Sequence, residues 1–194
     1  MDQRDNSRTD AVHPVIDRLV RRLPVAALGL RCARTPDVVR WARATGHHAV
    51  WVDLEHSTMP VDVAGALCGT AADLGMAALV RVPEREYGVV GRLLDAGASG
   101  IIFPRVETAG QVAACRFPPQ GHRSAIATLP CVGFRRVPAA ELYATANRAT
   151  LVKVLLESPL GIENAEAIAS VPGVDLVAIG TNDLSAELGV PGEA

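Results

Sequence analysis

The sequence predicts an α/β fold, a parallel (β/α) barrel of the TIM type that is truncated after its sixth strand. Short apolar segments alternate with amphipathic ones along the 194 residues, as is typical of parallel strands covered by crossover helices. Polar or charged residues end most of the apolar segments, and a barrel brings all such ends to one mouth, whereas a doubly wound sheet uses only the strands near its switch point. A closed barrel needs eight strands in about 250 residues, so two βα units lack a counterpart.

Six strands are predicted where short apolar runs end at a turn or a polar residue. They are residues 25–30, 48–53, 77–82, 100–103, 152–156 and 176–179. Helices are predicted where apolar residues recur at helical spacing, and an Ala/Ile/Glu pattern adds one more before the last strand. They are residues 14–23, 36–44, 60–74, 86–96, 108–115 and 139–148. Residues 1–13 offer almost nothing to bury, so we expect a disordered lead and one barrel domain over residues 14–194.

Capping residues mark several helix ends. Thr35 is the expected N-cap of the second helix. Gly46, Gly75 and Gly97 follow the second, third and fourth helices, and glycine commonly ends a helix. Residues 116–138 show no periodicity and exceed the usual βα connection in length, which is typical of a functional or a disordered loop.

The composition excludes several classes of partner. A formal net charge of -2 and a pI of about 6.2 give no basic surface for a phosphate backbone or an anionic membrane, so we expect no nucleic-acid partner and no membrane partner. No stretch approaches the roughly 18 apolar residues of a membrane span. Scattered cysteines without a C-x-x-C pair argue against a zinc ribbon or a disulfide scaffold. These features predict a cytoplasmic protein with reduced thiols.

Two acids follow the last two predicted strands. Glu157 directly follows the fifth strand, and Asp183 comes after the Gly180-Thr181-Asn182 turn that follows the sixth. Carboxylates at strand ends, with no thiol beside them, are typical of half a site for a hard divalent ion such as Mg²⁺ or Mn²⁺. The alternative is that each acid caps the helix after it, since acids are common near helix N-termini.

Three further polar residues stand at strand ends. Arg81 leaves an otherwise apolar strand, and a buried guanidinium indicates a nearby anion, either a substrate or a structural acid. His56 follows Asp53 closely, so it is either an acid/base group oriented by that carboxylate or an ordinary loop or capping residue. If these groups share one mouth with the two acids, a cation, an arginine and a histidine would polarise a 2-oxo acid, stabilise its enolate and move a proton.

Six motifs run through most of the chain. In order they are WVDLEHS (51–57), VRVP (80–83), LLDAGASGIIFPRVET (93–108), RFPPQGHRS (116–124), LESPLGIEN (156–164) and GVDLVAIGTNDLS (173–185). By these motifs the sequence resembles the HpcH/HpaI aldolases, class II metal-dependent enzymes that cleave 4-hydroxy-2-oxo acids to pyruvate and an aldehyde. The resemblance covers nearly everything from residue 28 to residue 189. It implies a TIM barrel that is commonly assembled as a homo-oligomer, a hexamer.

The resemblance also implies a role for each candidate residue. Glu157 and Asp183 match the acids that bind a divalent metal, which would be Mg²⁺, Mn²⁺ or Co²⁺. Arg81 matches the arginine that binds the keto or enolate oxygen of a small-molecule 2-oxo acid substrate. His56 matches the acid/base histidine, with Asp53 as its partner. The backbone N–H groups that match the cradle for the pyruvate carboxylate belong to Gly180, Thr181, Asn182 and Asp183.

Three features depart from the family pattern. Leu155 stands where many members carry glutamine, which removes one polar contact, and Ser124 stands where glycine is usual. The last two strands and the exchanged C-terminal helix have no counterpart. Two other functions therefore stay open, namely a catalytically silent barrel fragment or split-barrel subunit, and a CoA-ester lyase similar to the citrate lyase β chain. The D-L-E-H motif favours the aldolase branch over the CoA-ester lyases.

Overall fold

The computed structural model describes residues 13–108, 110 and 115–193. Six strands form one parallel sheet in the order in which they occur along the chain. They are β1 (Ala27–Leu30), β2 (Ala49–Asp53), β3 (Ala77–Arg81), β4 (Gly100–Phe103), β5 (Leu151–Leu156) and β6 (Leu176–Ile179). A doubly wound sheet would reverse its strand order at a switch point. This sheet has no reversal and forms a curled half-barrel, so the predicted truncated barrel is confirmed.

Eight α-helices lie within the described residues. They are α1 (Pro14–Val20), α2 (Asp37–Ala44), α3 (Val61–Asp73), α4 (Val90–Asp95), α5 (Ala139–Ala149), α6 (Pro159–Glu163), α7 (Ala165–Ala169) and α8 (Thr181–Glu187). The helices predicted for this part of the chain are present, with ends that differ by a few residues. The helix predicted at 108–115 lies largely outside the described residues. None of the eight is both long enough and apolar enough to cross a membrane.

Two helix ends differ from the prediction. Thr35 does not cap α2, because Pro36 occupies the N-cap position and no side-chain hydrogen bond closes that end. The helix predicted before β6 is broken at Asn164 into α6 and α7. The Asn164 side-chain amide donates to the Glu107 carbonyl at 3.0 Å, so this residue makes a tertiary contact where the helix ends.

Alternation along the strands gives the sheet two different faces. The outer face, which includes Val52 and Phe103, packs against α2, α3, α4 and α7 in the larger hydrophobic core. The inner face, which includes Leu79, forms a smaller core into which α1 inserts Val15 and Ile16. The last residues of β2 and β3 continue the inner-face alternation, so the inner face leads directly to the mouth, the carboxyl ends of the strands.

Of the predicted disordered lead, the structure describes only the last residue, His13. This residue is buried and caps α1, because its Nδ1 accepts the backbone N–H groups of Val15 and Ile16 at 3.2 and 3.4 Å. The two residues that it caps are the ones that α1 buries in the inner core. His13 therefore belongs to the folded domain.

The long segment at 116–138 is irregular but packed. Apart from a 3₁₀ turn at Pro130–Val132 it has no regular structure. Phe117 and Leu129 are nevertheless buried against α5, where Phe117 stacks on Tyr143 with ring centroids 4.4 Å apart. The predicted long irregular connection is confirmed, and side-chain packing holds it in place.

Strands β1 and β6 bound the sheet. Each pairs with a neighbour on one side, and within the described residues no strand covers the other side. Val177 and Ile179 point outward from β6 and are 42% and 57% exposed. The half-barrel therefore leaves apolar surface open at its sixth strand.

Candidate active site

An arginine–carboxylate pair lies at the mouth of the half-barrel. Asp53 ends β2 and Arg81 ends β3, and the register of the sheet places them opposite each other. Arg81 Nε donates to Asp53 Oδ1 at 3.1 Å, and Nη2 donates to Oδ2 at 2.6 Å. Both side chains are buried, so this is a bidentate, charge-assisted pair that is shielded from water.

Glu55 completes the surroundings of the guanidinium. Its Oε2 lies 3.0 Å from Arg81 Nη1, and the Arg81 guanidinium lies over the Trp51 ring, 5.1 Å from the centroid. Arg31 adds another donor to Asp53 at 3.1 Å. A guanidinium has five N–H groups, so Arg81 keeps donors for a further oxygen.

The charges in this cluster shift one another's pKa values. Burial alone would raise the pKa of Asp53, but hydrogen bonds from Arg81 and from the His56 N–H lower it from 3.8 to about 2. Burial raises the pKa of Glu55; Arg81 opposes this increase and Glu157 adds to it. Burial would lower the pKa of Arg81, yet the carboxylates around it raise it. Asp53 is therefore a fixed anion, whereas Glu55 protonates more easily than an exposed glutamate.

His56 lies at the edge of this cluster. Its backbone N–H donates to Asp53 Oδ1 at 3.2 Å, while its imidazole is half-exposed and its Nε2 lies 3.9 Å from Glu55 Oε2. The sequence predicts Asp53 as the partner of the imidazole, but the structure pairs the Asp53 carboxylate with two arginines. The physical reason is charge, because a buried guanidinium requires a carboxylate more strongly than a neutral imidazole does.

Glu157 follows β5 and lies at the same mouth. It is buried, and its Oε2 accepts the backbone N–H of Arg105 at 2.9 Å. Arg105 has a positive φ of 46°, which residues other than glycine seldom adopt, so the loop after β4 is strained at the residue that holds this carboxylate. The charge of Glu157 raises the pKa of both Arg81 and Glu55.

Gly180 gives Glu157 its space. A Cβ at Gly180 would collide with Oε1 and Cγ of Glu157, so any side chain here would displace the carboxylate. The Gly180 N–H donates to the Leu156 carbonyl at 3.0 Å, which continues the pairing of β5 with β6 beyond the last strand residue. The absence of a side chain at residue 180 therefore allows α8 to begin against Glu157.

Asp183 lies in the first turn of α8, three residues after Gly180. Consecutive residues rise about 1.5 Å along a helix, so Asp183 is within one turn of the glycine that touches Glu157. Its side chain is exposed, and among the described residues it has no ion-pair partner. Thr181 and Asn182 form the start of the same helix, where the first N–H groups have no partner within the helix.

The inner face below the mouth carries one apolar and one charged residue of β5. Lys153, Leu155 and Glu157 alternate along the chain and share the inner side. Leu155 is buried among apolar residues, so this position brings no polar group to the site. Lys153 is half-buried, and both burial and the charge of Arg81 lower its pKa. Lys153 thus adds a cation to an inner side on which the carboxylates of Asp53, Glu55 and Glu157 surround Arg81.

The donor set at the mouth suits a hard divalent cation. Among the described residues Glu157 is a buried carboxylate whose hydrogen bond comes from Arg105 alone, so it keeps lone pairs for a cation. Asp183 carries a second carboxylate within one helical turn of the same glycine. No group of three or more His, Cys, Asp or Glu side chains within the described ranges forms a metal site. The fit therefore rests on two carboxylates, with water and substrate as further ligands, as is common for Mg²⁺.

Sequence reasoning missed three members of this cluster, namely Glu55, Arg31 and Arg105. Each contacts a predicted site residue directly. The spacing of Asp53 and Glu55 is a usable signal, because alternate residues of an extended chain point to the same side. Arg31 reaches Asp53 from a neighbouring loop, and Arg105 acts through its backbone N–H, which no side-chain pattern reveals.

Comparison with known proteins decides the family. The model of the family described as HpcH/HpaI aldolase/citrate lyase matches residues 32–194. The chain belongs to this family. The resemblance that the motifs indicate is thereby confirmed, and the buried arginine and the acids described above lie in the matched part of an HpcH/HpaI family protein.

Relatives and solved structures agree with this assignment. A 4-hydroxy-4-methyl-2-oxoglutarate aldolase of Hapsidospora irregularis is 41% identical over 172 residues, which are 86% of this chain and 64% of the relative. A 5-keto-4-deoxy-D-glucarate aldolase of Salmonella paratyphi A is 36% identical over 150 residues, 74% of this chain and 58% of the relative. An HpcH/HpaI aldolase from Desulfitobacterium hafniense has a crystal structure with a TM-score of 0.84 and 30% identity, covering 92% of this chain and 70% of that one. The chain thus spans less than two thirds of the length of the first two of these relatives.

Proposed function

We propose that this HpcH/HpaI family protein is a divalent-metal-dependent carbon–carbon lyase that cleaves or forms 4-hydroxy-2-oxo acids through a pyruvate enolate. One observation carries the proposal, namely that buried Arg81, with unused N–H donors, shares the mouth with the buried carboxylate of Glu157. Such a pair suits a reaction in which negative charge develops on a 2-oxo oxygen. Relatives named as aldolases of oxo acids support the same reaction class.

Arg81 is proposed to stabilise the enolate. Asp53 holds two nitrogens of the guanidinium and so fixes its plane before substrate arrives. A donor that is already oriented stabilises developing charge without reorganising during the reaction. Because arginine stays protonated in proteins, this residue stabilises charge and moves no proton.

Glu157 and Asp183 are the residues that would hold the divalent cation, which we propose to be Mg²⁺, Mn²⁺ or Co²⁺. A bound cation polarises the 2-oxo group and lowers the energy of the enolate. Two neighbours keep Glu157 in place for this role, Arg105 through its backbone N–H and Gly180 through its missing side chain.

His56 is the acid/base group of the proposal. Its half-exposed imidazole can exchange protons with solvent, and Glu55 lies beside it. In the cleavage direction a base takes the proton of the C4 hydroxyl, and the C3–C4 bond breaks to release the aldehyde. The electron pair stays on the pyruvate fragment as the enolate, and protonation of C3 then gives pyruvate. We assign the first proton to His56 and the stabilisation of the electron pair to Arg81.

The start of α8 is proposed to hold the substrate carboxylate. The first N–H groups of a helix have no partner within it and are free to bind an oxygen. The backbone N–H groups assigned to this role belong to Thr181, Asn182 and Asp183, whereas the Gly180 N–H already donates to the Leu156 carbonyl.

Assembly and location are part of the same proposal. We propose a homo-oligomer, a hexamer as in the family that the chain resembles, and a cytoplasmic location. Sedimentation velocity tests the assembly directly, and a protein that stays monomeric at all concentrations would contradict it. The catalytic residues named above all come from one chain, so the test of activity below does not depend on this outcome.

Exchange of the methyl protons of pyruvate in D₂O tests the activity. With Mn²⁺ or Co²⁺ the protein should catalyse this exchange, followed by ¹H NMR, because the enolate forms without an aldehyde. Arg81→Lys should slow it at least about a hundredfold, since the oriented fork is lost. Glu157→Gln should abolish the metal-dependent part, whereas Glu163→Gln, at an exposed position on α6, should leave the rate unchanged.

The same experiment separates the competing functions. A folded, metal-loaded protein that catalyses no exchange would contradict the proposal and favour a catalytically silent barrel fragment or split-barrel subunit. Exchange of the methyl protons of acetyl-CoA, without exchange of pyruvate, would favour a CoA-ester lyase similar to the citrate lyase β chain. Circular dichroism of each variant shows whether a loss of exchange reflects chemistry or unfolding.

A further inference from the structure

A cavity lies at the opposite end of the half-barrel from the candidate active site. Its wall includes Met76, Ser99 and Thr150, the residues that immediately precede β3, β4 and β5. The rest of the wall comes from His13 and the start of α1, from the ends of α3, α4 and α5, and from the long irregular segment. Strand residues advance about 3.3 Å each, so the length of β5 separates this cavity from Glu157 by about 20 Å. We call it the basal cavity.

The first notable group in its wall is the imidazole of His13. Its Nδ1 accepts two backbone N–H groups, so the neutral ring carries its proton on Nε2. Burial lowers the pKa of His13 from 6.5 to about 4, which keeps the ring neutral near neutral pH. The Ser99 backbone lies close enough to the ring to raise its pKa, yet among the described residues no acceptor reaches the buried Nε2 with hydrogen-bond geometry.

The second group is the Nε–H of Arg123. The guanidinium stacks over Phe117, 4.6 Å from the ring centroid, and its Nη2 donates to Asp95 at 2.7 Å. Nε is buried and, like His13 Nε2, lacks an acceptor in the part of the chain that the structure describes. The Arg123 side chain is 3% exposed and that of Asp95 is 36% exposed, so the positive charge is the more deeply buried of the pair.

The remaining wall is mostly apolar and encloses enough room for a small molecule. Its hydrocarbon surface comes from Met76, Leu94, Leu129 and Pro130, around a volume of about 260 Å³. One water occupies about 30 Å³ of the liquid, so the cavity exceeds a single water several times over. Buried N–H groups are nearly always hydrogen-bonded, and Asp95, the anion that pairs with Arg123, is itself partly exposed and does not reach Nε. The cavity therefore suits a ligand with anionic oxygens at one end and a short apolar body at the other.

We infer that the basal cavity binds a small carboxylate with a short apolar body, whose oxygens accept hydrogen bonds from His13 and Arg123. A carboxylate suits these two groups because it accepts hydrogen bonds and donates none, and both of the free N–H groups are donors. The site is independent of the proposed aldolase chemistry, which uses the other ends of the strands.

Butyrate and butyramide test the inference, because they share a propyl chain and differ in charge. Titration without added metal, followed by saturation-transfer NMR of the ligand, should show that butyrate binds and that butyramide binds at least about tenfold more weakly, since a charged acceptor makes the stronger hydrogen bond. His13→Asn keeps a side chain that can cap α1 but loses the Nε2 donor, and it should weaken butyrate binding about tenfold.

A pair of leucine variants on α5 locates the site. Ala149→Leu fills the basal cavity and should abolish butyrate binding, whereas Ala144→Leu, exposed and outside the cavity wall, should leave it unchanged. Loss of binding in Gly180→Ala but not in Ala149→Leu would assign butyrate to the candidate active site and overturn the inference. Equal affinity for the acid and the amide, or no binding of butyrate to the folded protein, would overturn it as well.

Discussion

Two carboxylates that are two residues apart have different properties around one guanidinium. Asp53 accepts from Nε and Nη2 of Arg81 and has a pKa of about 2, so it stays ionised and fixes the arginine. Burial raises the pKa of Glu55, which lies beside both Arg81 and His56. Environment alone thus separates a structural anion from a carboxylate that protonates more easily than an exposed glutamate.

Replacing Asp53 should reveal how much the buried pair stabilises the fold. Asp53→Asn keeps the shape of the side chain but leaves Arg81 with Glu55 as its charged neighbour, so we expect a loss of about 2 kcal/mol in the free energy of unfolding. Asp37→Asn breaks an exposed pair with Arg40 and should cost less than about 0.5 kcal/mol. Urea denaturation of both variants gives the two values, and equal losses would contradict the role assigned to burial.

The buried His13 should make stability depend on pH. Its pKa is about 4 in the folded protein and 6.5 when exposed, so below pH 6.5 the unfolded chain takes up a proton that the folded protein does not. The free energy of unfolding should therefore fall as the pH falls from 6.5 to about 4, by about 2 kcal/mol at about pH 5. Urea denaturation of His13→Asn over this range should lack that part of the pH dependence; an unchanged slope would show that other groups cause it.

The residue-level features that the sequence predicts are those fixed by burial. Arg81 follows an apolar strand, so an anion beside it is expected from the chain alone. Which acid makes the bidentate contact depends on the register of β2 against β3, and the register selects Asp53 over Glu55. The pairing of Asp53 with the His56 imidazole could not be judged from spacing, because Arg31 reaches the same carboxylate from another loop.

At the level of elements, the site depends on how β5, β6 and α8 meet. Gly180 ends the pairing of the two strands and begins the helix, and Glu157 packs directly against it. Arg105 pairs with Glu187 on α8, which fixes the far end of the same helix to the loop after β4.

Short apolar runs predict the strands well because parallel strands are buried on both faces. The break at Asn164 is not visible in the sequence, since it involves a carbonyl distant in the chain.

A pair of glycine variants tests this arrangement. The backbone of Gly180 has a negative φ of -89°, so alanine is allowed there by the backbone but collides with the Glu157 carboxylate. Gly180→Ala should lower metal-dependent pyruvate exchange at least about tenfold and cost about 1–3 kcal/mol of stability. Gly91→Ala, in α4 with open space around it, should raise the free energy of unfolding by about 0.5–1 kcal/mol and leave exchange unchanged. Full exchange activity in Gly180→Ala would contradict the role of that contact.

At the scale of the whole molecule, the two faces of the sheet have different roles. The outer face holds the larger core with the helices, and the inner face runs from α1 at one end to the charged mouth at the other. The order of six sequential parallel strands is predictable because each connection carries its own helical pattern. The basal cavity is not predictable, because part of its wall is the irregular segment at 116–138, which carries no periodic signal.

The inner core should depend strongly on α1, because few side chains build it. Ile16 is 8% exposed and packs with the inner-face residues of the strands, whereas Leu19 on the same helix is 41% exposed. Ile16→Ala removes buried methylene and methyl groups that strand residues cannot replace, so we expect it to lower the free energy of unfolding by about 3 kcal/mol. Leu19→Ala should lower it by less, by about 1 kcal/mol, since the Leu19 side chain stays partly exposed and gains only part of its transfer free energy on folding. Urea denaturation measures both free energies. A loss for Leu19→Ala as large as that for Ile16→Ala would contradict the role of Ile16 in the inner core.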